Sequence, residues 1–205
     1  MIKNAVDKPL TIQLNLFKEI IKKNTKLMVI LETLDNLGIS DYYVGAGAIN
    51  QTIFNYLHGY EIDYGIGDYD IVYYDEDTSY EAEDKIIKRV SKALKKIDVK
   101  LDIKNQARVH LWYSQKFGHD IDICTSVEDA INKWGTTITC IGVRMQSGKL
   151  LVYAPYGLND LFKMIIRPVK ANYIERDYNR KATKWKEKWP LLTVIPWRDE
   201  DEENN

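Results

Sequence analysis

The chain has 205 residues, 45% of them apolar and 29% charged, and a formal net charge of −1. That length suits one sizeable domain with its own core, and the near-neutral balance excludes the broad positive field of a general nucleic-acid binder. Two cysteines, Cys124 and Cys140, are too few for a disulfide framework or a zinc knuckle, and they read as buried thiols in a reducing compartment.

The first ten residues carry no apolar targeting core. No apolar run approaches the roughly 20 residues that a bilayer span needs. The expectation is a cytoplasmic protein with no membrane partner.

From Thr11 to Leu37, apolar residues recur at spacings of three and four, as on an amphipathic helix. Asn24-Thr25 offers a point at which to split it, and Gly38 stands where a C-cap glycine belongs. Tyr42-Tyr43-Val44 reads as a short strand, Ala48–Leu57 as a helix ended by His58-Gly59, and Tyr69–Tyr74 as a central strand. Capping-box patterns at Thr78-Ser79-Tyr80-Glu81 and Ser126-Val127-Glu128-Asp129 open helices to about Ile97 and Lys133. Val99–Tyr113 reads as two strands or one bent strand. Thr136–Arg144 and Leu150–Ala154 read as a hairpin. Gly157–Trp189 reads as mostly helical, broken at Arg167-Pro168. The expected class is α/β (α+β): one domain over residues 1–198, helical from about 157, followed by an acidic, disordered tail over 199–205.

Two features carry chemistry. A strand runs into Gly45-Ala46-Gly47-Ala48, and a helix starts at once. Helix-start amides lack internal partners and sit at the positive end of the dipole, so they suit phosphate. Asp68 and Asp70 then open the next strand two residues apart, on one face. Carboxylates that close repel unless a cation intervenes, and Mg²⁺, or Mn²⁺ in its place, binds through one or two carboxylates plus substrate phosphates. Each feature alone has a plainer reading, as a tight turn or a solvated Asp-Tyr-Asp loop. Together, in this order, they describe a site for a metal-bound nucleoside triphosphate.

A third carboxylate would complete a two-ion site. Asp102, between Leu101 and Ile103, is favoured over Asp122, between Ile121 and Ile123, because the polar cluster from Asn105 to His110 follows it. Asn105, Arg108 and His110 are candidate cleft residues. The stretch from Lys163 to Lys188 is rich in Lys and Arg and suits either a solvated face or a triphosphate grip. Trp185 and Trp189 read as packing residues. A dinucleotide fold is disfavoured, because Asn50 replaces the third glycine and the acidic pair opens its strand rather than closing it.

At these residues the sequence resembles the polymerase-β-like nucleotidyltransferases. Val44-Gly45-Ala46 and Asp68-Tyr69-Asp70-Ile71 match their signature, with two departures: Ala46 where Gly or Ser is usual, and a longer stretch between the motifs. The segments Gly45–Asn50, Asp68–Asp75, Asn105–Tyr113, Ala154–Phe162, Arg167-Pro168 and Lys184–Pro190 resemble a bacterial nucleotidyltransferase-like family first catalogued without a function. The resemblance implies a mixed sheet flanked by helices. It also implies Mg²⁺-dependent transfer of a nucleoside monophosphate from an NTP to an acceptor hydroxyl. Asp68, Asp70 and Asp102 would hold metal and perform catalysis, and Gly45, Ala46, Gly47 and Ala48 would hold the nucleotide. The acceptor (small molecule, tRNA or protein) and the oligomeric state stay open. The alternative is a degenerate module of the same fold that binds nucleotide or a partner without turnover, and the test that separates the two is convergence of the three carboxylates.

Overall fold

In a computed structural model, residues 4–198 are described. The acidic segment expected to be disordered, 199–205, lies outside them. Asn24 splits the N-terminal helical region as expected. Its side chain accepts from the Leu27 N–H and caps α2 (Thr25–Asn36), while α1 (Leu10–Ile21) precedes it. Gly38, at φ +63, ends the pair.

A five-stranded sheet follows, in the order β3-β2-β1-β4-β5. β1 (Tyr42–Gly45) runs antiparallel to both β2 (Tyr69–Tyr73) and β4 (Gly142–Gln146), and β4 pairs with β5 (Lys149–Tyr153) as a hairpin. β2 and β3 (Leu101–Asn105) are parallel, so the chain crosses between them through α4 (Tyr80–Ala93), capped by Ser79. α3 (Gly47–His58) leaves β1 directly.

The two faces of the sheet differ. Tyr42, Val44, Tyr69, Ile71, Tyr73, Ile103 and Val143 turn into the main core with α1, α2 and α3. The alternate residues Tyr43 and Val72 turn the other way, onto a smaller cluster with Val127 and Ile131 of α6 (Val127–Asn132). Thus β1, and β2 beyond Asp70, are apolar on both faces, as a central position demands.

Three expectations need correction. Val109–Tyr113 is not strand: after β3 come a 3₁₀ turn at Gln106–Arg108 and α5 (His110–Phe117), which ends at Gly118 with φ +81. The Asn105 side chain accepts from the Ala107 N–H and caps that turn, so the strand stops there. Second, the hairpin begins only at Gly142, because Thr136 and Thr139 fold the chain between them into a hydrogen-bonded turn. Third, the C-terminal region is less helical than its composition suggests. Between α7 (Asn159–Lys163) and α8 (Glu175–Lys188), Met164 takes φ +58 and β6 (Ile165–Ile166) pairs with β7 (Thr193–Val194). Trp185 and Trp189 are core residues, with Trp189 Nε1 donating to Asn55 Oδ1 at 2.7 Å. Both cysteines are buried and free. No described helix is long and apolar enough to cross a membrane.

Candidate active site

The sheet register builds the site. Gly45 is paired across the β1–β2 ladder with Asp70, and Asp70 is paired across the β2–β3 ladder with Asp102. Side chains alternate faces, so Asp70 and Asp102 stand side by side on the face away from the main core. Neighbouring strands lie about 4.8 Å apart, which brings two carboxylates within reach of one cation.

That face floors a cavity of about 280 Å³, lined among others by Ala46, Asp70, Asp102 and Lys104. α8 contributes Asp177, Arg180 and Lys181, and α5 contributes Trp112, Tyr113, Lys116 and Phe117. α5 has no fully buried residue, since its aromatic side faces the cavity rather than the core. Arg176 Nη2 donates to the Phe117 carbonyl at 3.2 Å, tying the end of α5 to the start of α8.

Electrostatics mark Asp70. Burial pushes its carboxyl up to about 6; the negative charges of Asp68 and Asp102 add to the rise, and Lys181 and Lys104 oppose it. Asp68 sits just before β2, outside the cavity lining, and Lys100 Nζ approaches it at 3.6 Å. Lys104 Nζ lies 2.5 Å from Asp102 Oδ1. Among the described residues, no three His, Cys, Asp or Glu side chains are grouped to hold a metal ion together. The expected convergence of Asp68, Asp70 and a third carboxylate is therefore not seen, so the carboxylates alone do not separate an enzyme from a degenerate module. Asp70 and Asp102 still fit a divalent ion by their chemistry: two hard oxygen donors, one of them half-buried beside like charge, next to a cavity with room for phosphate oxygens.

The glycine loop is only partly as expected. Ala46 lines the cavity and caps α3 with no side-chain hydrogen bond, so the helix start is left uncapped by side chains. Its backbone, at φ 51 and ψ −130, is one that glycine adopts freely and alanine does not. Gly45 serves packing: a Cβ there would meet the Trp134 ring at 2.6 Å and 2.7 Å. Gly47 lies under the Gln51 amide, 2.9 Å from where a Cβ would be, and Ala48 is fully buried.

The three candidate cleft residues do not line the cavity. Asn105 is buried and exchanges hydrogen bonds with the Asp75 N–H (3.0 Å) and carbonyl (2.8 Å). Arg108 forms an ion pair with Glu83 and donates to the Thr78 carbonyl at 2.8 Å. Glu83 also accepts from the Asn105 N–H at 2.9 Å, so these side chains fasten α4 to the end of β3. His110 opens α5, with its Nδ1 buried and unpartnered among the described residues. Asp122, the rival third carboxylate, is exposed and lies outside any strand.

Sequence reasoning did not single out Lys104, Trp112, Trp134, Asp177, Arg180 or Lys181. The signal for Lys104 was present, because it lies two residues beyond Asp102 and so shares its face. Trp134 meets Gly45 across 89 residues of chain (134 − 45), a contact that no local pattern announces.

A family model described as nucleotidyltransferase matches residues 32–194. No curated protein sequence matches the chain. Among solved structures, the chain is similar to one described as an NMR structure that reveals a CCA-adding enzyme head domain. It is 25% identical, with a TM-score of 0.72, and the match covers 95% of this chain and 99% of that one. The family match spans the sheet, the start of α3 and both facing carboxylates, and the chain belongs to this nucleotidyltransferase family.

Proposed function

We infer that the chain transfers a nucleoside monophosphate from a metal-bound NTP to an acceptor hydroxyl. The observation that carries this reading is the Gly45–Asp70–Asp102 row, which puts two carboxylates beside the uncapped start of α3 on the floor of one cavity. A bound Mg²⁺ would polarise the α-phosphate and neutralise charge on the leaving pyrophosphate.

Asp70 and Asp102 would hold that ion, with Asp68 joining from the strand entry once Lys100 releases it. The backbone of Gly45, Ala46, Gly47 and Ala48 would meet the β- and γ-phosphates through the helix start, with Ala46 at the cavity wall. Arg180 and Lys181 supply positive charge from α8. Trp112 and Tyr113 offer aromatic faces on which a base stacks. The acceptor oxygen attacks the α-phosphorus, the bond from that phosphorus to the bridging oxygen breaks, and pyrophosphate leaves. Asp102 takes the acceptor proton. Most of the acceleration comes from positioning and charge neutralisation.

The similar solved structure, described as a CCA-adding enzyme head, makes an RNA 3′ hydroxyl the acceptor to try first, ahead of small molecules and protein side chains. The test incubates the protein with labelled NTPs and Mg²⁺ against RNA and metabolite pools, beside an Asp70→Asn/Asp102→Asn variant. Label transfer by the wild type alone is expected. Transfer that persists in the variant refutes the assignment. Nucleotide binding with no transfer to any pool would mark a degenerate binding module.

A further inference from the structure

Each carboxylate of the proposed site is answered by a lysine. Lys100 approaches Asp68, Lys104 holds Asp102, and Lys181 acts on Asp70 from α8 without a direct ion pair among the described residues. Lys104 is the one placed to move. It rises from the same face of β3 as Asp102, lines the cavity, and keeps 33% of its side chain exposed. Its ammonium also lies 5.9 Å from the centroid of the Trp112 ring.

A divalent ion between Asp70 and Asp102 competes with the Lys104 ammonium for the Asp102 carboxylate. Two cations that close repel strongly in a partly desolvated site, so the ammonium must leave. Its four-carbon stem lets the head swing while the side chain stays in the cavity. A bare metal ion offers the displaced ammonium nothing in return. A metal–triphosphate complex brings phosphate oxygens into the same space.

We propose that Lys104 is an exchange residue: it holds Asp102 in the empty site, and passes to the triphosphate when a metal–nucleotide complex takes Asp102. This rests on the reading of Asp70 and Asp102 as the metal pair. The consequence is selectivity, with the site resisting free divalent ions and accepting them on a nucleotide. The ion pair is part of the binding cycle rather than a static contact.

Lys104→Met keeps the stem against Trp112 and removes the charge. Free Mn²⁺ is titrated by electron paramagnetic resonance with the metal alone, and again in the presence of α,β-methylene-ATP. Thermal melting confirms that the variant is folded. The expected result is a split in sign. Mn²⁺ alone binds about five-fold more tightly, the scale of a part-exposed ion pair. The Mn²⁺–analogue complex binds about ten-fold more weakly, the scale of one charge-assisted hydrogen bond. Lys104→Arg, which keeps the charge, returns both affinities toward the wild-type values. Two unchanged affinities, or two that move in the same direction, overturn the exchange. Should the wild type and Asp70→Asn/Asp102→Asn bind Mn²⁺ equally, the metal-pair reading itself fails and the exchange falls with it.

Discussion

Asp102 is the parallel-ladder partner of Asp70, and the two carboxylates stand on one face of the sheet with no backbone between them. Strand register, which the hydrophobic alternation of β2 and β3 enforces, thereby fixes the spacing of the two acids. A slip of one residue would send Asp102 into the main core and Ile103 into the cavity, an error that the fold penalises at both positions.

The raised carboxyl of Asp70 gives a pH signature. Its value in the fold, about 6, lies above the ordinary 3.8, so the folded state binds this proton more tightly than the unfolded chain does. The stability tied to this group is complete below about pH 4 and is lost as pH rises through about 6. Asp70→Asn removes this half-buried charge and should raise stability at neutral pH by up to about 2 kcal/mol. Melting curves in paired buffers check this: the gap between variant and wild type closes as the pH is lowered toward 4. A variant less stable than wild type at neutral pH would contradict the assignment.

Gly45→Ala places a methyl group within 2.6 Å of the Trp134 ring. The expected loss is about 1–3 kcal/mol by overpacking. Trp134→Leu in the same background should recover part of it, so a double-mutant cycle returns a favourable coupling between the two substitutions. Additive losses would mean that the ring moves aside at little cost.

Ala46→Gly acts in the opposite direction. The residue holds φ 51 and ψ −130, which glycine adopts without strain. Relief of about 1 kcal/mol should appear as a higher denaturant midpoint, with the unfolding slope unchanged. Ala46→Val should lower it, because a β-branched side chain fits that backbone worse than alanine does.

Arg108→Met separates a structural role from a binding one. It leaves the Glu83 carboxylate with the Asn105 N–H and without its guanidinium, which should cost about 2 kcal/mol. At a temperature where the variant is folded, its KM for NTP should match the wild type within about two-fold, because the side chain lies outside the cavity lining. A large rise in KM without destabilisation would return Arg108 to the site.

Much of this architecture was legible where the determinants are local. The break at Asn24-Thr25, Gly38 and Gly59 as helix ends, and the strand at Tyr69 each follow from a few adjacent residues. The two motifs flanking α3 were legible for the same reason. α5 was not. Val109-His110-Leu111 alternates like a strand, and the aromatic residues after it raise strand propensity. The cap at Asn105, the stop at Gly118 and the demand for an aromatic cavity wall override that local pattern. Asn105 and Arg108 misled for a related reason: polar residues after a strand look like a cleft rim, whereas their partners, Asp75 and Glu83, come from distant turns of chain. Lys181 and Arg180 were hidden inside a basic stretch whose remaining members face solvent, and only the docking of α8 distinguishes them.

Trp112 and Trp134 are the two tryptophans that line the cavity, while Trp185 and Trp189 pack in the main core. The molecule thus carries its own optical probe of occupancy. A base stacked on the first ring, or a shift of the second over Gly45, should quench emission from the cavity side and leave the interior fluorophores unchanged. Phenylalanine at either position would silence one reporter at a time, so that ligand entry and loop adjustment could be followed separately, without a label.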